Sequence, residues 1–327
     1  MTHATRIEGS RIVVTGGAGF IGSHLVHELI ARGAAQVTVV DSLRYGDLAN
    51  LGSESKVRMV KHEIGFDPEA ELAGALEGAD LVFHLAAEKH NQSKDSPARV
   101  IKSNVSGTLS LYELAVRAGV KKIVFSSSLY AYGRLRGGAM IETERCDPRT
   151  VYGISKLTGE QLLAYTGDTA KVPWNVLRYF FIYGPKQFAG MGYKSVIIKS
   201  FERLLGGEPA VVFGDGEQAL DYVFVDDAVD ATIRAMEADV SGEVLNVASG
   251  RAIKVKDLVA GIVDASKKGI APISGPADWT AGTNRFGDPE KTAERLGWRV
   301  TTPLEAGLAK VFAWIQTQPA PEKPGGA

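Results

Sequence analysis

The sequence has a single cysteine, Cys146, among 327 residues. One thiol excludes an intramolecular disulfide and any cysteine-rich metal site, so a structural or semi-exposed thiol is expected. No apolar run reaches the length of a membrane span. The N-terminal Met-Thr-His-Ala-Thr-Arg is too polar for a signal peptide, which makes a cytoplasmic location the default. Neither sign of charge prevails. The formal net charge of −1 gives no basis for a nucleic-acid or membrane-surface partner. Internal repeats are lacking too. The composition, 45% hydrophobic and 23% charged, is ordinary for a globular protein, and the length suits two lobes.

Arg11-Ile-Val-Val-Thr15 is a β-branched run closed by glycines, the pattern of a buried strand. A helix is predicted over residues 21–32, with Gly33 as its C-cap. Gln36-Val-Thr-Val-Val-Asp41 reads as a second strand, and residues 80–87 and 122–127 read the same way. Helical segments lie between, notably 98–118 and 155–165. This alternation predicts an α/β fold, a doubly wound parallel sheet covered on both faces. Beyond Trp174-Asn-Val-Leu-Arg-Tyr179 the regularity weakens. Loops rich in Gly and Pro at 184–192, 206–209 and 214–216 mark a smaller C-terminal lobe. Residues 243–248 are expected to return to the main sheet as a strand. The division is therefore 1–175 for a cofactor-binding domain, with returning segments near 220–250, and 176–318 mainly for a substrate-binding lobe. Residues 319–327 cannot bury a core and are expected to be a disordered tail.

Between the first strand and helix lies Thr15-Gly-Gly-Ala-Gly-Phe-Ile-Gly22. It can be read as Gly17-x-Gly19-x-x-Gly22 or as Gly16-x-x-Gly19-x-x-Gly22. Either spacing frees the backbone N–H groups at the helix start to meet a pyrophosphate that side chains would block. Asp41 closes the second strand about twenty residues on, where a carboxylate accepts hydrogen bonds from both ribose hydroxyls of a dinucleotide. It would repel a 2′-phosphate, so NAD is expected, and Arg44 nearby keeps NADP as the alternative. Glu63 follows the expected third strand, as an acceptor for an adenine amino group or as a solvated turn carboxylate.

Tyr152 and Lys156 stand four residues apart on a predicted helix and so share one face. The ammonium can favour the phenolate, which becomes a usable base near neutral pH. With a dinucleotide site upstream, the pair implies oxidation of an alcohol by a nicotinamide. The serines of Phe125-Ser-Ser-Ser128 end a strand at the sheet edge where ligands bind in open α/β folds.

These motifs, together with Asn104-Val-Ser-Gly-Thr108, Leu177-Arg-Tyr-Phe180, Tyr183-Gly-Pro185 and Asp221-Tyr-Val-Phe-Val-Asp-Asp227, resemble the extended short-chain dehydrogenase/reductase family. The likeness is to its NAD-dependent sugar epimerase/dehydratase branch and covers nearly the whole chain. It implies a Rossmann fold with Tyr152 as acid/base on the reacting hydroxyl. Lys156 would hold the nicotinamide ribose and lower the tyrosine pKa, and Ser128 would bond the substrate oxygen. It further implies Gly16, Gly19, Phe20, Ile21, Gly22, Ser42, Ile64, Leu85, Ala86, Ala87, Lys89 and Ser126 along the NAD channel. Asn104 would lie against the cofactor, with Phe180 near the nicotinamide. A homodimer is implied as well, with Leu109, Tyr112 and Leu162 as interface candidates.

Departures from the family pattern narrow the chemistry. Dehydratases of the branch carry an Asp-Glu pair after the catalytic Ser/Thr, and here Leu129 and Tyr130 stand there. Neither supplies a carboxylate, so dehydration is disfavoured and epimerisation, at C4 of a nucleotide sugar, is expected. Phe181 and Leu220 replace an Asn and an Arg that usually contact a substrate diphosphate. Lys186, Lys194, Arg178 and Arg251 are the cations available to compensate. Lys89, His90 and Asn91, with Ser128, Tyr130 and Phe181, are the candidate substrate contacts. The alternatives are a dehydrogenase or reductase on a non-nucleotide sugar, polyol or lactone, and a non-catalytic NAD sensor.

Overall fold

Valine- and isoleucine-rich runs separated by helical segments build one large sheet. The computed structural model describes residues 3–133, 137–187, 194–277 and 282–318. The tail at 319–327 and part of the glycine-rich loop at 184–192 lie outside the described residues. The first part of the chain runs β1 (Arg11–Thr15), α1 (Phe20–Ala31), β2 (Gln36–Asp41), β3 (Val57–Lys61), α2 (Glu69–Leu76) and β4 (Leu81–His84). Short helices α3 (Gln92–Asp95) and α4 (Pro97–Ile101) lead through a π-helical turn, Lys102–Gly107, into α5 (Thr108–Arg117). Next come β5 (Lys122–Ser128), α6 (Val151–Ala170) and β6 (Trp174–Tyr179).

The second part is built of shorter pieces. They are β7 (Phe181–Tyr183), α7 (Val196–Leu205), β8 (Val211–Phe213), β9 (Ala219–Leu220), β10 (Tyr222–Phe224) and α8 (Val225–Glu237). After β11 (Glu243–Val247) come β12 (Ile253–Lys254), α9 (Val255–Ser266), β13 (Ile273–Gly275), β14 (Asn284–Arg285), α10 (Glu290–Leu296) and α11 (Leu304–Ile315). Among the described residues no helix is long and apolar enough to cross a membrane.

The main sheet has the order β11-β6-β5-β4-β1-β2-β3 with every neighbouring pair parallel. The order reverses between β1 and β4, so a crevice opens beyond their C-terminal ends. The returning strand expected at 243–248 is β11, which pairs with β6. Helices α1 and α8 pack on one face and α2, α5 and α6 on the other. Burial on both faces explains why β4 and β5 are covered along their whole length. The helix predicted over 98–118 runs continuously and contains the π turn, a feature that re-aims side chains and is common at functional sites.

Helix α6 carries Tyr152 and Lys156, and its placement is fixed at several levels. The Thr150 hydroxyl accepts the Gly153 N–H at 3.0 Å, a capping bond that starts the helix. Lower down, Arg178 of β6 donates two hydrogen bonds to Glu160, at 3.0 and 2.7 Å, and Ser127 of β5 donates to the same carboxylate. Both ion-pair side chains are about 5% exposed. Losing one partner from such a pair leaves a buried charge unpaired. Glu160→Gln should therefore destabilise the fold by about 3–5 kcal/mol, a loss that urea unfolding of the variant and the parent would measure.

Candidate active site

The crevice is a cavity of about 500 Å³ at the C-terminal ends of β1, β4, β5 and β6. Its first wall is the glycine loop. Gly16 has φ +71°, and a Cβ there would stand 2.8 Å from the Ala86 backbone nitrogen. A Cβ on Gly22 would lie 2.1 Å from the Gly16 carbonyl oxygen. A Cβ on Gly17 would stand 2.9 Å from the Val39 side chain, so both spacings fall on restricted glycines, with Gly16 and Gly22 held against backbone. Helix α1 starts immediately after Gly19 with no side-chain cap, which leaves its first N–H groups available to an anion.

Asp41 ends β2 and is buried, accepting from Ala18 N–H at 3.0 Å and Leu43 N–H at 2.8 Å. Burial raises its pKa, and the two backbone bonds oppose that rise. The same carboxylate thus fixes the glycine loop and retains lone pairs for ribose hydroxyls. Leu43 adopts φ 60°, a strained value for a leucine, in the turn that carries Ser42 and Arg44 along the wall. Ile64 and Glu63 line the cavity further along, and the Glu63 carboxylate is paired with Arg99.

Glu88 is a residue that sequence reasoning passed over. It is 4% exposed, yet it accepts from Arg99 Nε at 2.7 Å and from the Tyr45 hydroxyl at 2.8 Å, with Arg44 Nε at 3.5 Å. A carboxylate directly after an apolar strand and two alanines was the available signal, because a charge buried there needs partners. Arg44 is therefore already engaged, by Glu88 and by the Tyr45 hydroxyl at 3.0 Å. Lys89 projects at the rim with its ammonium 4.7 Å from the centre of the Tyr45 ring.

Asn104 lies beneath this wall and not on it. Its amide accepts Glu88 N–H at 2.7 Å and donates to the Glu88 carbonyl at 3.0 Å and to Ser155 at 3.2 Å. The π turn aims it inward, where it supports the β4 loop and α6 from behind the cavity lining.

Ser128, Tyr152 and Lys156 meet at the other end of the cavity with Ser126, Leu85, Ala86, Ala87, Phe20, Ile21 and Phe180. Lys156 is 3% exposed and donates to the Ser126 carbonyl at 2.8 Å. Burial lowers its pKa to about 7, against the opposing charge of Glu160. Burial likewise pushes Tyr152 up to about 12, while a hydrogen bond with Ser128 pulls it back. The pair was expected to yield a low tyrosine pKa, and the protein alone does the reverse. A dry site disfavours both charged forms, and the ammonium is turned to a carbonyl.

The candidate substrate residues cluster on this side. His90 stacks on Tyr130 with ring centroids 4.2 Å apart and meets the Tyr152 ring edge-on at 5.9 Å. Asn91 lines the same wall, as does Phe181, which also faces a second cavity. Of the compensating cations, Arg178 is held by Glu160, Lys194 by Glu202 at 2.7 Å, and Lys186 by the Asn50 carbonyl at 2.8 Å. Arg285, absent from the sequence-based set, is the strand partner of Leu220 and lies 5.7 Å from the Tyr130 ring centre. Pairing between β9 and β14 was not legible in two-residue strands, and that hid it.

A dinucleotide cleft at the switch point, with a serine, a tyrosine and a lysine from β5 and α6, is the arrangement of a nicotinamide-dependent enzyme of the short-chain dehydrogenase/reductase type. The family model for the NAD dependent epimerase/dehydratase family matches residues 12–248. The chain is 33% identical over 322 residues to the UDP-glucose 4-epimerase of Mycolicibacterium smegmatis, covering 94% of this chain and 99% of that one. The UDP-glucose 4-epimerase of Thermotoga maritima, solved with UDP-glucose, superposes with a TM-score of 0.86 at 36% identity, over 94% and 98% of the two chains. The UDP-glucuronic acid 4-epimerase of Bacillus cereus, solved with UDP-glucuronic acid and NAD, gives 0.83 at 27%, over 94% and 99%. The chain belongs to the NAD-dependent epimerase/dehydratase family, and its cofactor is NAD. The cradle at Gly16 and Gly22, the uncapped start of α1 and buried Asp41 fit that cofactor.

If Asp41 is the ribose acceptor, Asp41→Ala removes that acceptor and the repulsion of a 2′-phosphate. NAD affinity should fall about tenfold or more, as for loss of a charge-assisted hydrogen bond. NADP should lose less, and titration of both cofactors would show the gap narrowing.

Proposed function

We propose that the chain is a 4-epimerase of a nucleotide sugar with Tyr152 as its acid/base. The observation that carries this reading is the Ser128–Tyr152–Lys156 grouping in the cofactor cleft, with aromatic rings, His90 and Tyr130, packed on the phenol. The position after Ser128 where elimination would call for carboxylates holds Leu129, buried, and Tyr130. Bound NAD would supply a hydride acceptor and positive charge. Tyr152 takes the proton of the sugar hydroxyl as its carbon becomes a ketone, and gives it back when the carbon is reduced from the opposite face. Ser128 holds the oxygen through both steps. Lys156, fixed by the Ser126 carbonyl, meets the ribose and adds charge that favours the phenolate once ligand surrounds it.

A second cavity of about 390 Å³ adjoins the cleft through Phe181, Ile182 and Gln187. Phe213, Tyr222, Leu220 and Val211 make it apolar, and the buried Gln218 amide donates to the Phe213 carbonyl at 2.9 Å. The Gln218 carbonyl oxygen has no hydrogen-bond partner among the described residues. An apolar slot with one amide acceptor suits a nucleobase bearing a ring N–H. Arg285, the strand partner of the slot residue Leu220 and 5.7 Å from the Tyr130 ring centre, is the cation that a diphosphate would meet.

Two experiments test this. UDP-glucose and UDP-galactose should interconvert with only transient NADH, and Tyr152→Phe should stop turnover with NAD still bound. Arg285→Leu should weaken UDP binding by about one to two orders of magnitude in calorimetry, the loss of one charge-assisted bond. NADH that accumulates, or no UDP binding by the parent, would favour a net dehydrogenase on a non-nucleotide sugar. Apolar Phe181 and Leu220 support that second reading.

A homodimer is part of the proposal. Helices α4 and α6 expose Ile101, Ile154 and Tyr165, the last 70% exposed. Tyr112 is fully buried within the protomer and is withdrawn as an interface residue. Sedimentation at micromolar concentration should give a dimer that Tyr165→Glu weakens, and a monomeric parent would remove the idea.

A further inference from the structure

We propose that His90 and Tyr130 form a stacked pair whose task is to position Tyr152, so that they act through the catalytic phenol and not on the substrate. The inference rests on Tyr152 being the acid/base. It goes beyond that reading because it assigns a role to two rings that the chemistry itself does not require.

The rings come from separate elements. His90 lies in the segment after β4, Tyr130 in the turn after β5, and Tyr152 in the first turn of α6. His90 and Tyr130 are nearly parallel, at 21° and 4.2 Å. Both meet Tyr152 edge-on, His90 at 5.9 Å and 74°, Tyr130 at 5.8 Å and 79°. Such edge-to-face contacts are orientation-dependent, so two of them restrict the phenol's swing. Arg285 lies over the Tyr130 ring, which makes an aromatic and cationic stack running from the C-terminal lobe to the phenol. Gly153 allows the close approach, since a Cβ there would meet the Tyr130 carbonyl oxygen at 2.4 Å.

The imidazole works here as a ring. Burial, with Lys94 and Arg285 nearby, lowers its pKa to about 4, so it is neutral throughout the working range and a weak base. The groups facing Tyr152 are then Ser128, Tyr130, His90 and Lys156, of which only Lys156 can carry charge near neutrality. A ring that holds a base in place should govern turnover much more than substrate affinity. Displacing a reacting group by about 1 Å can cost roughly 10²-fold in rate.

The test compares His90→Ala, His90→Phe, Tyr130→Phe and Tyr130→Leu with the parent and with Tyr152→Phe, each purified with bound NAD. UDP-glucose and UDP-galactose are the substrates. His90→Ala and Tyr130→Leu should lower kcat by about 10²-fold with KM within a few-fold. They should also shift the pH–rate profile to a lower apparent pKa, because water then reaches the phenol. His90→Phe and Tyr130→Phe keep the rings and should retain kcat within a few-fold and the parent's profile. Loss of activity in both Phe variants would overturn the proposal, since their polar atoms would then be doing the work. Parent-like kcat and pH profile in His90→Ala would overturn it as well. If His90→Ala fails to fold, His90→Phe and the Tyr130 pair still decide the question. Residual activity in Tyr152→Phe would instead bring down the underlying assignment, so the two failures are distinguishable.

Discussion

The hold of α6 against β5 and β6 is the constraint on which the cleft depends. Tyr152 and Lys156 can meet Ser128 only if the helix sits at one height and one rotation relative to the strand. Glu160 sets both, because Arg178 and Ser127 reach its carboxylate from two adjacent strands. A buried charge pair is weak evidence for stability in itself, but its geometry is demanding, and here that demand fixes register. Gly159 completes the contact. A Cβ there would come within 2.8 Å of the Phe125 ring, so the helix could not approach the strand as it does. Lys156 then arrives at the Ser126 carbonyl as a consequence of the same placement.

Burial is what gives the site its electrostatic character. The low-dielectric end of the cleft raises the tyrosine and lowers the lysine, so each is drawn toward its neutral form. A phenol kept protonated by the protein is a strong base once ionised. The cofactor end behaves differently, for Glu88, Arg44, Arg99 and Glu63 form a charged network tied to backbone by Asn104. One wall of the cavity is thus charged and fixed, and the other is aromatic and dry.

The fold was largely legible because it rests on local patterns. Strands β1, β2 and β6 fall where β-branched runs lie, and Gly33 follows α1 at φ +85°. Gly16, Asp41, Ser128, Tyr152 and Lys156 were found for the same reason, as short motifs beside predicted elements, and the structure gathers them in one cleft. What escaped depends on long-range geometry. The π turn that sends Asn104 under the wall has no periodic signature, and Arg285 reaches Tyr130 only through pairing of two-residue strands far apart in sequence. Glu88 could be seen as a residue but not as a hub, since its partners come from three separate segments.

The aromatic wall and the C-terminal lobe are connected through a buried acid. Asp221 is fully buried and accepts from Ser249 N–H at 2.8 Å, from the Ser249 hydroxyl at 2.6 Å, and from Gly250 and Gly287 N–H at 3.1 and 3.2 Å. It therefore ties the segment after β9 to the ends of β11 and β14. That tie holds Arg285 as the backbone partner of Leu220, which lines the second cavity. An arginine at position 220 would bring its own charge to that cavity. With leucine there, the cation on this pair of strands is Arg285, 5.7 Å from the Tyr130 ring centre. The C-terminal lobe thus reaches, through Arg285, the same ring stack that touches Tyr152.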